Sequence, residues 1–512
     1  MKRAYRISDR IRARVSPGTT AGRVARSSFW SLAGSFCVQA LTLVAIALAA
    51  RILGPDGLGR FSLLQATMTM FVGLVGMGMA MTATKFISEF RRNDPDRAGR
   101  MLGMCLLTAP AASVVLAGGL LLASDLIAQP LLGSETLKLG LQLGCLYLVG
   151  SLLKAIQIAA LAGLEAFGSI AGANVCRGLA TIPLILGGAY LAGANGAMGG
   201  LALLSLLDAL FSGWLLIRQC RRQSIPLRCL PRREDVILAV RFSLPMVIST
   251  AVVNSTLWAV QLILSARGSF AELGIFTAAG RFLAMILMIE APVGAVLLPL
   301  LSSRGKDCSS RLNKASITVS WALGVCPAAL LICLPEIMGL LVGSAFATLQ
   351  ARRTLIVAMA YCTIQLYKQG LRRILVTRSK MWYSLLDNAI WAVVLLPAAW
   401  LLTPMGATGM AGAFLIAYAS TMLVIVPLYH RLGMMPAAVL ISGESMAIWL
   451  AVAVGATISW FAPPLALRLC LLVCMGGAFG LGFVRMLAGK AGATTPATRP
   501  GPQALPEVRR CA

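Results

Sequence analysis

The sequence is short of charge, and of negative charge in particular. Of its 512 residues 58% are hydrophobic and 12% charged, with 45 Lys and Arg against 18 Asp and Glu. A soluble chain carries about 25% charged residues, so this one has too little polar surface to cover a water-exposed fold. Histidine occurs once, as His430. It stands at the inner end of an apolar run, which leaves no plausible zinc site and no Ser–His–Asp constellation. The thirteen cysteines fall in apolar runs or on the basic side of the chain, so no extracellular disulfide framework is implied. Cys470 and Cys474, one turn apart in an apolar run, read as small buried hydrophobes. The alternating pattern of a membrane β-barrel is missing. Long hydrophilic loops are missing too, which argues against a membrane polymerase or glycosyltransferase working on the outer side.

What is present is a series of apolar runs of about 20 residues, the length that spans a ~30 Å hydrocarbon core as a helix. Lipid offers the backbone no hydrogen bonds, so each run is expected to be an α-helix. The fold class expected is therefore an all-α polytopic membrane protein with about fourteen transmembrane helices: 29–50, 61–84, 101–123, 139–163, 170–192, 196–217, 242–265, 273–300, 315–334, 354–375, 382–402, 408–428, 446–462 and 465–485. With residue 1 placed inside, most of the Lys and Arg fall on the inner side. That asymmetry is the positive-inside rule, and it predicts that both termini are cytoplasmic. The charge of +27 then reports topology and contact with anionic membrane lipids, not nucleic acid.

The organisation expected is a basic cytoplasmic segment over 1–28, a six-helix bundle over 29–217 and a basic linker over 218–241. A second six-helix bundle over 242–428, two additional helices over 446–485 and a disordered cytoplasmic tail over 486–512 follow. The halves repeat. "LGRF" at 58–61 matches "LGIF" at 273–276, "LLGSE" at 131–135 matches "LVGSA" at 341–345, and "GANGAMGGLA" at 193–202 matches "GATGMAGAFL" at 406–415. The offset is nearly constant and both halves start inside, which predicts a pseudo-twofold axis along the membrane normal and a cleft between the bundles.

Charges at mid-membrane cost ~2.5–3.5 kcal/mol each and usually face a cavity or a partner. The candidates are Lys154, Arg177, Arg281 and Lys368 among the bases, and Asp208, Glu290 and Asp387 among the acids. Lys154 and Lys368 are related by the repeat. Gln157 lies three residues after the first and Gln365 three before the second, so each lysine sits on a polar helical stripe. Snorkelling is the alternative for both lysines, and for Arg281 toward the outer end. Asp208 and Asp387 are candidates to neutralise these bases. Glu290, followed by Pro292, lies on the far side of its helix from Arg281. If an ion such as H+ or Na+ is coupled to the protein's work, Glu290, Asp208 and Asp387 are the acids available to carry it. No other cofactor is indicated.

"LAARILGPDGLGRFSLLQA" (48–66), "FSLPMVIS" (242–249), "ELGIFTAAGRF" (272–282), "LPEIMGLLVGSAF" (334–346) and "GATGMAGAF" (406–414) together resemble the polysaccharide transport family. These are Wzx-type flippases of the multidrug/oligosaccharidyl-lipid/polysaccharide exporter superfamily. The resemblance implies a transporter in a bacterial inner membrane, moving a polyprenyl-diphosphate-linked exopolysaccharide, capsule or O-antigen unit by alternating access. It implies as partners the lipid-linked oligosaccharide and the polymerase and chain-length regulator of the same pathway. No catalytic motif carries over. On that basis Lys154 and Lys368 are expected to face each other across the cleft and grip the diphosphate, with Arg177, Arg281, Gln157 and Gln365 assisting. A lipid II flippase and a cation-coupled drug exporter remain alternatives. Against the exporter, spans 29–50 and 242–265 hold no acid.

Overall fold

The computed structural model describes residues 20–125, 129, 133–226, 232–302, 309–377, 381–431, 443–461 and 463–488. The expected 1–28 segment, the tail from 489 and the centre of the linker, 227–231, therefore lie wholly or largely outside the described residues. All the regular structure described is helical: α1 (Thr20–Phe90), α2 (Pro95–Leu122), α3 (Lys138–Gly163), α4 (Phe167–Arg222), α5 (Arg233–Arg267), α6 (Phe270–Ser302), α7 (Ser309–Cys333), α8 (Ile337–Val342), α9 (Leu349–Thr377), α10 (Met381–Leu402), α11 (Gly406–Arg431), α12 (Gly443–Trp460) and α13 (Leu465–Ala488), with short 3-10 turns between some of them. Among the described residues eight helices are long and apolar enough to cross a membrane, and Ile317–Cys333 and Ser445–Trp460 are shorter apolar helices. The chain is thus an all-helical polytopic membrane protein.

Two helices are longer than any single crossing, and each is broken where glycine allows it. α1 breaks at Gly54 (φ 66°, ψ −178°), followed by Pro55. Only a residue without Cβ takes that φ cheaply, and proline then starts the second limb, where no N–H partner is needed. α4 breaks at Ala192 and Gly193 (φ 57°, ψ −136°). The same conformation recurs at Gly406 (φ 64°, ψ −143°), between α10 and α11. At the other membrane face Asp94 caps α2 by accepting from the Arg97 amide at 2.9 Å, with Pro95 as first residue. This second face is rich in arginine and is called the basic face below.

Helices α1–α4 pack on one another, as do α5–α11, and α1 is the chief element joining the two groups, through α5 and α6. α12 and α13 pack instead on α7 and α9. There Trp321 meets Trp449 and Phe483 with ring centroids 4.7 and 5.6 Å apart, and Arg468 of α13 bonds Glu336 at 2.6 Å.

The closest approach between the groups lies at the glycine-turn face and is reciprocal. A Cβ on Gly59 would stand 1.8 Å from the Phe270 carbonyl oxygen and 3.1 Å from the Gly274 nitrogen. A Cβ on Gly274 would stand 1.9 Å from the Pro55 oxygen and 3.1 Å from the Gly59 nitrogen. Small residues permit such backbone contact between membrane helices. Further along the same seam, Gly73 abuts Asn254, and Gly78 abuts Val247.

Because no movement of a flexible side chain can make room for a methyl group against a carbonyl, Gly59→Ala and Gly274→Ala should each destabilise the protein by about 1–3 kcal/mol. Gly118, with nothing within 4 Å of its added Cβ, is the control. Thermal unfolding in detergent should show a lower midpoint for the first two and none for Gly118→Ala. Equal midpoints for all three would contradict the contact.

Candidate functional site

Lipid cannot solvate a charge, so where the interior charges find partners decides what they can do. Lys154, on α3, reaches Asp208 on the second limb of α4 at 3.2 Å. Arg177, on the first limb of α4, reaches the same carboxylate oxygen at 3.4 Å. Asp208 is 7% exposed. One carboxylate thus holds two cations in a node that lies wholly within α3 and α4. Gln157 is buried and turned against α4, its amide nitrogen 2.9 Å from where a Cβ on Gly213 would stand. It packs a helix interface.

Lys368, on α9, is held in the second group. Its ammonium donates to Asp387 of α10 at 2.8 Å and to the Thr421 hydroxyl of α11 at 3.3 Å, and lies 5.3 Å from the Tyr418 ring centroid, within cation–π range. Lys368, Asp387 and Gln365 line a cavity of about 530 Å³ built from α5, α6, α9, α10 and α11. No residue of α1–α4 lines it. The structure therefore does not place Lys154 and Lys368 on opposite walls of one cavity. Each lysine is matched by a carboxylate in its own group, because that removes an uncompensated charge from the helix interior.

Arg281 is placed differently. It lies on α6 at the seam with α1, and it lines three cavities there, of about 410, 200 and 200 Å³. The largest has a polar wall with Gln65 and Thr69 of α1, Asn254 and Gln261 of α5 and Thr277 of α6. The Arg281 guanidinium donates to Gln65 Oε1 at 3.0 Å, while its Nε is buried without a partner. Among the described residues no carboxylate pairs with it. It does not snorkel outward; it faces the space between the groups. Trp258 donates across the same seam to the Thr67 hydroxyl at 3.1 Å. The side chain of Glu290 lies outside the described residues.

Two features of the site escape any reading of local spacing. The cavity beside Lys368 carries four aromatic rings, Tyr361, Trp391, Phe414 and Tyr418, drawn from three helices. Asn254 and Leu257 line both that cavity and the seam cavity of Arg281, so the two are adjacent. At the basic face Asp235, at the start of α5, takes hydrogen bonds from Arg97 and Arg100 of α2 at 3.0 and 3.2 Å. Lys85 of α1 sits 4.1 Å from the Phe242 ring centroid. Nearby, the Arg91 side chain holds the Glu165 carboxyl below the usual carboxylate range.

Removing the carboxylate of the first node leaves Lys154 and Arg177 facing each other. Asp208→Asn should therefore cost about 3–5 kcal/mol, whereas the double variant Lys154→Met, Asp208→Met should recover most of it. Thermal unfolding of the purified single and double variants measures both. An Asp208→Asn protein that melts with the wild type would show that the node carries no weight.

Comparison with known proteins accords with this architecture. A family model described as polysaccharide biosynthesis protein matches residues 24–304. The lipid III flippase of Escherichia coli (strain K12) is 23% identical over 401 residues, covering 77% of this chain and 95% of that protein. Among solved structures, the lipid II flippase MurJ in an inward closed conformation aligns over 89% of this chain and 98% of its own, with TM-score 0.69 and 14% identity. A multidrug resistance MATE family transporter in its inward-facing conformation aligns over 77% of this chain and 94% of its own, with TM-score 0.65 and 16% identity. At such identities the structural matches show the fold alone, and the fold is that of this transporter superfamily. The match to the family model runs over more than half of the sequence: the chain belongs to the polysaccharide biosynthesis protein family, as a membrane transporter and not an enzyme.

Proposed function

We propose that the protein is a flippase that carries a polyprenyl-diphosphate-linked oligosaccharide across the bacterial inner membrane by alternating access. The observation that carries this reading is Arg281. It is a cation buried at the seam between two helix groups, bonded to a neutral amide and lining three cavities, while the lysines on either side are matched by acids. A diphosphate diester carries about two negative charges, and its pairing with a guanidinium is strong where the dielectric is low. The diphosphate is therefore assigned to Arg281, not to Lys154 and Lys368. The glycan lies in the polar cavities and the polyprenyl chain in the bilayer. The relatives that are lipid-linked substrate flippases support the substrate class.

The reading includes fourteen crossings in two six-helix halves related by a pseudo-twofold axis along the membrane normal, plus the α12–α13 pair. The breaks at Gly54 and Gly193 divide α1 and α4 into two crossings each. The reciprocal Gly59–Gly274 contact and the matching dihedrals at Gly193 and Gly406 are what such an axis produces. The register that sets Gly193 on Gly406 also sets Asp208 on Thr421, so Lys154 and Lys368 each meet a polar residue of the sixth helix of their own half. The basic face is cytoplasmic by the positive-inside rule, and both termini lie on that side. Coupling to H+ or Na+ through Asp208 or Asp387 requires their ion pairs to open first.

The test is polymer export in a deletion strain complemented with Arg281→Gln, Arg281→Lys and wild type, at matched protein levels. Arg281→Gln should lower export at least tenfold, the range expected for loss of a charge-assisted contact of about 1.5–3 kcal/mol. Lipid-linked units should then accumulate on the inner leaflet, and Arg281→Lys should retain part of the export. Units appearing outside but unpolymerised would point to an enzyme instead. A reporter fused at Arg222 should read cytoplasmic and one at Gly196 outside; an outside signal at Arg222 would overturn the parallel repeat.

A further inference from the structure

The cavity beside Lys368 is larger than an ion pair requires, and its lining is unusual for the interior of a membrane helix group. Tyr361 stacks on Phe414 and on Tyr418, at centroid separations of 5.5 and 5.9 Å. Trp391 meets Phe414 at 6.0 Å and Tyr418 at 5.8 Å. These rings form a continuous platform in the wall. Around it are the amides of Gln365, Gln369, Asn254 and Asn388, with the Lys368–Asp387 pair and Arg372. At about 530 Å³ the space falls in the range of small-molecule sites.

Several of the polar groups in this wall are left unmet. The indole N–H of Trp391 is buried with no partner, an arrangement that is unfavourable for a buried donor. Among the described residues no hydrogen bond engages the hydroxyls of Tyr361 or Tyr418. Asn388 is anchored by donating to the Ser249 hydroxyl at 3.1 Å, which leaves its carbonyl oxygen for another group. The wall thus offers aromatic surface, part-exposed at Tyr418 and mostly packed ring on ring at Tyr361, Trp391 and Phe414, flanked by amides at fixed positions. A pyranose ring has the complementary chemistry: a face of C–H groups and a rim of hydroxyls, each both donor and acceptor. A lipid tail would satisfy the faces but none of the polar groups; a bare phosphate would satisfy none of the faces.

We infer that this cavity is a saccharide subsite, in which the aromatic platform of Tyr361, Trp391, Phe414 and Tyr418 stacks against one or more sugar rings and the surrounding amides and Asp387 take their hydroxyls. The inference rests on the proposed flippase reading and extends it. Asn254 and Leu257 belong to both this cavity and that of Arg281, so a headgroup whose diphosphate meets Arg281 has its first sugars within reach of the platform. The second group of helices then supplies selectivity for the glycan, and the seam supplies attraction for the phosphates common to all such carriers. Lys368 and Asp387 cancel, and Arg372 leaves one net positive charge on the wall. The rest of the polar lining is neutral, which suits a polyhydroxylated ligand.

The experiment uses the full-length protein in lipid nanodiscs and three probes. These are undecaprenyl diphosphate, the glycan-bearing lipid carrier extracted from the producing strain, and ethidium as an aromatic cation. The wild type should bind the glycan-bearing carrier at least tenfold more tightly than undecaprenyl diphosphate, about 1.4 kcal/mol. Trp391→Leu should abolish that preference while leaving affinity for undecaprenyl diphosphate unchanged, and Arg281→Gln should weaken both lipids. Gln365→Ala, a milder change in the same wall, should reduce the preference severalfold and guards against a Trp391 variant that fails to fold. A preference that survives in both Trp391→Leu and Gln365→Ala overturns the saccharide subsite but leaves the flippase reading intact. A wild type that binds neither lipid overturns that reading and the subsite with it. Ethidium binding lost in Trp391→Leu, with no preference for the glycan, would assign the cavity to aromatic cations instead.

Discussion

A charge inside a lipid-embedded protein must be matched by the protein itself, and most of what distinguishes this structure follows from how that is done. Lys154 and Arg177 share Asp208; Lys368 holds Asp387. Each match is made within one group of helices. Arg281 differs: on the seam its guanidinium is bonded to the Gln65 amide, and among the described residues no carboxylate pairs with it. An arginine suits that position: its guanidinium stays charged when buried and its planar fork matches a diphosphate. Among the described residues the interior lysines are thus matched by carboxylates, while Arg281 at the seam is not.

The two groups can approach so closely only because glycine stands on both sides. The Gly59–Gly274 crossing brings backbone against backbone at one membrane face, and Arg51 reaches over the same face to the carbonyl oxygen of Leu340 at 2.6 Å. At this crossing backbone meets backbone, and the Arg60 guanidinium lies over the Phe270 ring beside it, 4.7 Å from the centroid. Flat glycine surfaces can separate without unpacking rotamers, as the proposed alternating access would require. The α12–α13 pair stands apart from this seam. It is fixed to α7 and α9 by the Trp321 cluster and by Arg468.

Much of this was legible in the sequence, and for physical reasons. Apolar runs of the right length announce helices because lipid permits little else. The "LGRF" and "LGIF" repeat is visible because both glycines meet at the crossing, where no other residue fits. Lys154 and Lys368 stand at matching places in the sequence repeat, on α3 and α9. What they bind to is not legible. Asp208 lies on the second limb of α4, whereas Asp387 lies on α10, the helix before Thr421, so the two acids do not follow one spacing from their lysines. The direction in which Gln157 points is illegible for a related reason. A helix apolar nearly all round gives no hint of which way its polar stripe points, and this one points at Gly213. The aromatic platform is invisible in any window, since Tyr361, Trp391 and Phe414 come from three separate helices.

The most direct test of the account is an experimental structure of the protein with its lipid-linked substrate bound. The account predicts the diphosphate in hydrogen-bond contact with the Arg281 guanidinium at the seam, with Lys154 still on Asp208 and Lys368 still on Asp387. A diphosphate held between Lys154 and Lys368, their carboxylates displaced and Arg281 left on Gln65, would contradict it.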